Sequence, residues 1–126
     1  MSATGFDELD DVVTVDLPLR TEHASSVRVL VASLAAEVGF SVDEIDDLRL
    51  AVSEVFSILS HLAPTGRGTA RLHISDRLVD VLLTSSDVSG PIHLDPLAST
   101  ILSSVVDDHH VLDHGLRLTK RAVESV

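Results

Sequence analysis

The 126 residues contain no cysteine, no tryptophan and no tyrosine, and only three phenylalanines. Without cysteine there is no disulfide framework, no thiol nucleophile and no thiolate metal site. With so few rings, the core has to be aliphatic, and a chain of this length is one domain with room for a real core. Basic residues are scarce too: 9 Lys and Arg face 20 Asp and Glu, for a formal charge of −11. Such a surface repels nucleic acid and no basic stripe offsets it, so direct DNA or RNA binding is not expected. No apolar run approaches the ~18 residues of a membrane span. The opening MSATGFDELDD is acidic where a secretory signal would be basic and then apolar. The expectation is a cytoplasmic protein with no membrane partner, residues 1–11 forming a flexible acidic tail and 12–126 a single domain.

What the chain does have is one strongly patterned stretch, Ser41 to Leu62. Ser41 with Glu44 three residues on is a capping box, in which each side chain satisfies an orphan amide at a helix start. Phe40 and Ile45 stand where a hydrophobic staple would pack across that cap. Ile45, Leu48, Val52, Val55, Leu59 and Leu62 then recur in steps of three and four, the spacing of one buried helical stripe. Ala63-Pro64 and Gly66 end the helix.

Around it, Val12 to Leu17 places Val13, Val15 and Leu17 on one face at period two, predicting a strand closed by Pro18. Thr21 is placed to cap a helix whose stripe is Val27, Leu30, Val31, Leu34 and Val38, with Gly39 suited to the left-handed residue past its end. Arg28 falls off that stripe, toward solvent. After the central helix comes a turn-rich loop, Pro64 to Gly68. Ala70, Leu72 and Ile74 alternate with Arg71 and His73, and Leu78 to Leu83 is more apolar; the short Asp76-Arg77 link makes these an antiparallel hairpin. Ser85 to Asp95 has no period and reads as loop. Leu97, Ile101, Leu102, Val105 and Val106 form a short helical stripe. The end reads as two strands joined at Asp113-His114-Gly115, with Leu116 and Leu118 inward. The order β–α–α–β–β–loop–α–β–β predicts an α+β two-layer sandwich, helices on one face of a mostly antiparallel sheet.

Leu48 to Glu54, LRLAVSE, resembles the central helix of the anti-sigma regulatory factors, the RsbW/SpoIIAB-type serine kinases of the GHKL or Bergerat ATPase fold. In that family the helix reads approximately L-x-x-A-V-x-E-x-x-x-N. The resemblance runs from roughly Val12 to Arg121 and includes the closing segment LASTILSSVVDDHHVLDHGLRLTKR. It implies a Glu that activates a water or hydroxyl and an Asn that holds the magnesium bridging the ATP phosphates. Glu54 stands in the Glu position, but Ile58 stands in the Asn position, and a hydrocarbon offers no oxygen to a hard cation. The family's Asp-x-Gly-x-Gly, which takes the adenine, has Thr84, Ser85 and Ser86 here. Asp87 stands in only after a shift of two or three residues, with Gly90 alone following. At the Gly-x-Gly whose amides cradle phosphates stand Pro96, Leu97 and Ala98; proline has no amide to give.

Three losses together imply a degenerate site, with no cofactor expected. Glu54 is then left as a residual general-base position, and a glutamate at the edge of an apolar stripe is ordinarily just solvated. Asp107, Asp108, His109, His110, Asp113 and His114 suggest a metal site, but in a strand they alternate between faces, whereas zinc wants convergent ligands. No serine has His and Asp at an interpretable spacing. The expected function is therefore an anti-sigma factor that sequesters an RNA polymerase sigma factor, with kinase activity lost or impaired. One alternative is an active serine/threonine kinase, using ATP and Mg²⁺, that phosphorylates a STAS-type anti-anti-sigma factor. Another is a pseudo-kinase adaptor in the same partner-switching pathway of the bacterial stress response. The resemblance also implies that Arg28 grips these partners, and that the protein is a homodimer, for which the strand at Val12 to Leu17 could supply a sheet edge.

Overall fold

The computed structural model of the chain describes residues 11–123. Strand β1 (Asp11–Pro18) leads through a 3-10 turn (Thr21–His23) into α1 (Ala24–Glu37) and α2 (Val42–Leu62). The hairpin β2 (Arg67–Ser75) and β3 (Leu78–Thr84) follows, then α3 (Pro96–Val105) and a second hairpin, β4 (Asp108–Leu112) and β5 (Gly115–Arg121). The five strands lie in the order β1-β2-β3-β5-β4, every neighbour antiparallel. This is the predicted α+β sandwich, in the GHKL-like arrangement of helices over one sheet face. Among the described residues no helix is long and apolar enough to cross a membrane.

The period-two patterns select which face is covered. Leu17, then Ala70, Leu72 and Ile74, then Val79, Val81 and Leu83, then Leu116 and Leu118 point inward and are buried. They meet Val27, Val31 and Ala35 of α1, Leu48, Ala51, Val52, Val55, Phe56 and Leu59 of α2, and Leu102 of α3. Each large aliphatic side chain fully buried in this way contributes about 1.5–3 kcal/mol relative to exposure. Where the second hairpin starts, the strands approach so closely that a Cβ on Gly115 would lie 1.9 Å from the Leu83 carbonyl oxygen. Only glycine lets β5 begin there. The sheet's other face is open, and on it the buried Asp80 receives Arg117 in a bidentate pair and the Thr119 hydroxyl at 3.0 Å.

Several boundaries differ from the expected ones. Asp11 belongs to β1, and the remainder of the expected tail, residues 1–10, lies outside the described residues. Thr21 does not cap α1. The chain first makes the 3-10 turn, closed by His23 N–H to the Arg20 carbonyl at 2.9 Å, and α1 starts at Ala24 without a side-chain cap. Leu62 is 50% exposed, because α2 runs past the end of the layer it packs on, while Ala51, Phe56 and Ser60 are buried beside the expected stripe. A strict three-and-four stripe is narrower than the face a central helix buries. In α3, Leu97 is 70% exposed and Ala98 takes the inward position.

The capping box forms as expected: the Ser41 amide donates to Glu44 at 2.8 Å, and the Glu44 amide donates to the Ser41 hydroxyl at 3.2 Å. The second Glu44 oxygen accepts from the Val123 amide at 2.6 Å, tying the start of α2 to the chain beyond β5. These backbone donors hold the Glu44 carboxyl below its ordinary value of 4.5. A depressed folded-state pKa adds stability that is present above the unfolded value and lost as pH falls through the folded one. We expect Glu44→Gln to reduce the loss of stability on acidification below about pH 4.5, measured by circular-dichroism melts in a pH series, while lowering stability at pH 7 by about 1 kcal/mol.

Candidate functional site

Ile58 of α2 faces the connector between β3 and α3, where it shares a hollow with His93. Glu54 is half-buried, and its carboxylate makes no side-chain hydrogen bond or ion pair among the described residues. One turn on, Ile58 is half-buried and packs at the margin of the core. With Ser57, His61, Leu62 and His93 it lines a hollow of ≈ 360 Å³. Its lining thus mixes two aliphatic side chains with two imidazoles and a hydroxyl. Two turns before Glu54, Asp47 lies 3.9 Å from the Lys120 amine, which itself donates to the last α3 carbonyl, Val105, at 2.8 Å. The lysine is buried as a cap on α3, not as a reagent beside Glu54.

The connector, residues 85–95, is built into the fold. The Ser85 amide donates to the His114 carbonyl at 2.8 Å, and the Ser85 hydroxyl donates to the Arg67 carbonyl at 2.6 Å. Asp87 accepts the Arg67 amide at 2.8 Å, and the His114 ring reaches the Val88 carbonyl at 2.8 Å. Val88 and Ile92 are buried in the core cluster. A Cβ on Gly66 would come within 2.8 Å of Asp87, so glycine there permits the close approach. Asp87, the one carboxylate that could stand in for the adenine acceptor, is thereby occupied in holding the start of β2.

The start of α3 is closed in the same manner. Helix N-termini attract anions because their first amides lack partners. Here the Asp95 carboxylate accepts the Ala98 amide at 2.8 Å, and Pro96 fills the first helical position with no amide at all. The helix brings its own anion. Leu97, the next residue, is 70% exposed. The Asp95 cap was not among the expected site residues, although Asp-Pro before an apolar stripe is a legible helix-start signal.

Arg28 is not free in solvent as expected. It is half-buried, and its guanidinium donates to the Ser53 hydroxyl at 3.2 Å, bridging α1 and α2 one residue away from Glu54. The remaining histidines do not gather. His109 and His110 alternate along β4, whereas Asp113 and His114 form the following turn rather than extending the strand. Among the described residues no group of three His, Cys, Asp or Glu is arranged to hold a metal ion.

Three helices over one face of a five-stranded antiparallel sheet are consistent with a GHKL-like two-layer sandwich. Several curated proteins that the chain resembles share one name. The serine-protein kinase RsbW of Listeria innocua is 29% identical over 85 residues, covering 64% of this chain and 54% of that protein. That of Bacillus licheniformis is 25% identical over 87 residues, covering 66% and 54%. A Listeria monocytogenes RsbW is 37% identical over a shorter stretch of 49 residues, covering 39% and 31%. The chain thus spans about half the length, or less, of the curated relatives it matches. No family model matches the chain. The similarity supports the RsbW/SpoIIAB family assignment that the central helix suggests.

If the Asp95 carboxylate is what completes α3, removing it leaves the Ala98 amide without its partner. We expect Asp95→Ala to cost about 1 kcal/mol of stability, measured by denaturant unfolding followed by circular dichroism, as for other lost N-caps.

Proposed function

We propose that this protein acts by binding alone: it is an anti-sigma factor that holds a sigma factor away from RNA polymerase and no longer transfers phosphate. The observation that carries this reading is the closed start of α3, where Asp95 and Pro96 leave no amide cradle for a phosphate. Ile58 at the metal-ligand position and Asp87 committed to Arg67 support it. The names of the similar proteins motivate the comparison with a kinase, and these residues support reading a departure from it. Neither ATP nor Mg²⁺ is required in this reading. An acidic surface of −11 is suited to basic protein partners, since opposite charge speeds encounter and disfavours wrong partners.

Calorimetric titration with ATP or ADP and Mg²⁺ at millimolar nucleotide is expected to show no binding, and Ile58→Asn alone is expected not to create it. Affinity tighter than ~100 μM, worth about 5.5 kcal/mol, would restore the alternative of an active kinase on a STAS-type partner. Affinity capture from native lysate tests the other half: sigma factor is the expected prey, and a STAS protein without sigma would mark a pseudo-kinase adaptor instead.

Arg28 is the residue proposed to grip the partner, because a planar guanidinium pairs with a carboxylate through two parallel hydrogen bonds. Its bond to Ser53 positions that fork on the seam of two helices. We expect Arg28→Ala to weaken sigma capture about thirtyfold, ~2 kcal/mol, as for an interface anchor. Ser53→Ala, which removes the seam bond but leaves the guanidinium, is expected to change capture less than about threefold. Equal losses in the two variants would assign the effect to helix packing rather than to partner contact.

A further inference from the structure

The open side of the sheet is charged differently from the rest of the molecule. The helices cover the side on which Leu72, Val81 and Leu118 lie, so the alternate residues of each strand line the open side. There Arg67, Arg71, Arg117 and Arg121 stand against Asp16, Asp80 and Asp108. A chain of formal charge −11 thus has one broad face with no net negative charge. Two of its acids are already engaged, Asp80 by Arg117 and Thr119 and Asp16 by the Thr69 hydroxyl at 2.6 Å.

The middle of this face carries a pattern. In one row across the strands, Thr14, Arg71, Leu82, Arg117 and His110 are successive neighbours. Leu82 is half-buried, Arg71 and His110 are exposed, and the Arg117 side chain is 52% exposed. One leucine is therefore flanked on both sides by an arginine. Arg117 spends Nε and one terminal nitrogen on Asp80. A guanidinium has five N–H donors, so part of that fork can take a second carboxylate.

We propose that this row is the docking surface for the chain's own residues 1–10, the acidic segment that leads into β1. Its sequence, MSATGFDELD, holds Asp7, Glu8 and Asp10 with no Lys or Arg, and sets Leu9 between Glu8 and Asp10. A leucine between carboxylates complements a leucine between arginines: apolar surfaces meet, and each acid reaches a guanidinium. The length suffices. β5 lies three strand spacings from β1, about 14 Å, and ten extended residues reach about 33 Å. Exposed ion pairs are individually weak, so attachment matters. A short tether holds the segment at millimolar effective concentration, which the same acidic sequence on another protein would lack. The acidic remainder of the surface repels the segment and leaves this face as its place. The contact is independent of the sigma-binding proposal.

Paramagnetic broadening of amide signals in the full chain tests it. Because the chain has no cysteine, Ala3→Cys gives a single thiol for a nitroxide label. The amides of Arg71, Leu82 and Arg117 are expected to lose most of their intensity, while those of the exposed Val29 and Arg49 on the helix layer keep theirs. Adding Asp7→Lys, Glu8→Lys and Asp10→Lys should return the sheet signals to full intensity, and the amide spectrum itself shows that the domain stays folded. About 0.5 M salt should act in the same direction, since it shortens the screening length to about 4 Å. Equal broadening on the sheet and helix faces overturns the proposal, as does a sheet pattern that the three lysines leave unchanged. A mixture of spin-labelled chain and isotope-labelled chain separates the remaining case. Broadening between the two species would mean that the segment reaches a second copy, and overturns docking within the chain.

Discussion

Glu44 joins three parts of the chain that share no local sequence. Its carboxylate closes the start of α2 through the Ser41 amide and, through its second oxygen, holds the Val123 amide beyond β5. The Val123 carbonyl is in turn held by the Arg77 guanidinium, from the β2–β3 turn, where Arg77 sits at a φ of 58°. That left-handed conformation is unfavourable for a long side chain, and it persists because the guanidinium and the backbone are both engaged there: the Arg77 carbonyl accepts from Ala122 at 2.8 Å. With this end clamped, α2 is set in direction over β3 and β5. Its buried face then decides where every residue of the cleft falls.

The cleft follows from that placement. Once α2 is fixed, Ile58 must face the connector, whatever its chemistry. In a nucleotide enzyme the three facing elements would each leave polar groups unpaired for a ligand. Here each satisfies its own: Asp95 takes the α3 amide, Asp87 takes the β2 amide, and Ile58 needs nothing. The closures reinforce one another, because an unpaired amide in a partly buried place is costly and a self-supplied carboxylate removes the cost. A single reverted residue would leave the other two closures in place. The contacts that occupy these groups also tie the connector and α3 to the rest of the fold.

Much of this was legible from residue spacing alone. The strands and helices, their order, the capping box and the inward side of each strand follow from periods of two and 3.6 and from proline and glycine positions. Ile58 and Pro96 to Ala98 drew notice through the family resemblance, not through spacing. What spacing does not show is who supplies the partner to a given amide. Asp87 and Arg67 are far apart in sequence, as are Arg28 and Ser53, and their pairing depends on how loops fold back across elements. Burial at the margins is also hidden. Leu62 and Leu97 continue their stripes in register yet stand exposed, since a helix can outrun the layer beneath it. Thr21 had the chemistry of a cap, but the chain spends that stretch on a 3-10 turn.

The two halves of the molecule differ in what they leave unsatisfied. In the connector, the His114 ring holds the Val88 carbonyl and the side chains of Val88 and Ile92 are buried in the core. Along β1 and α1 the reverse holds: Val13, Val15, Leu30 and Leu34 keep part of their apolar surface in water, and the outward backbone groups of β1 have no partner strand among the described residues. Burying apolar area at about 25 cal/mol per Å² and pairing an edge both reward a macromolecular surface, which is long and flat, over a compact ligand.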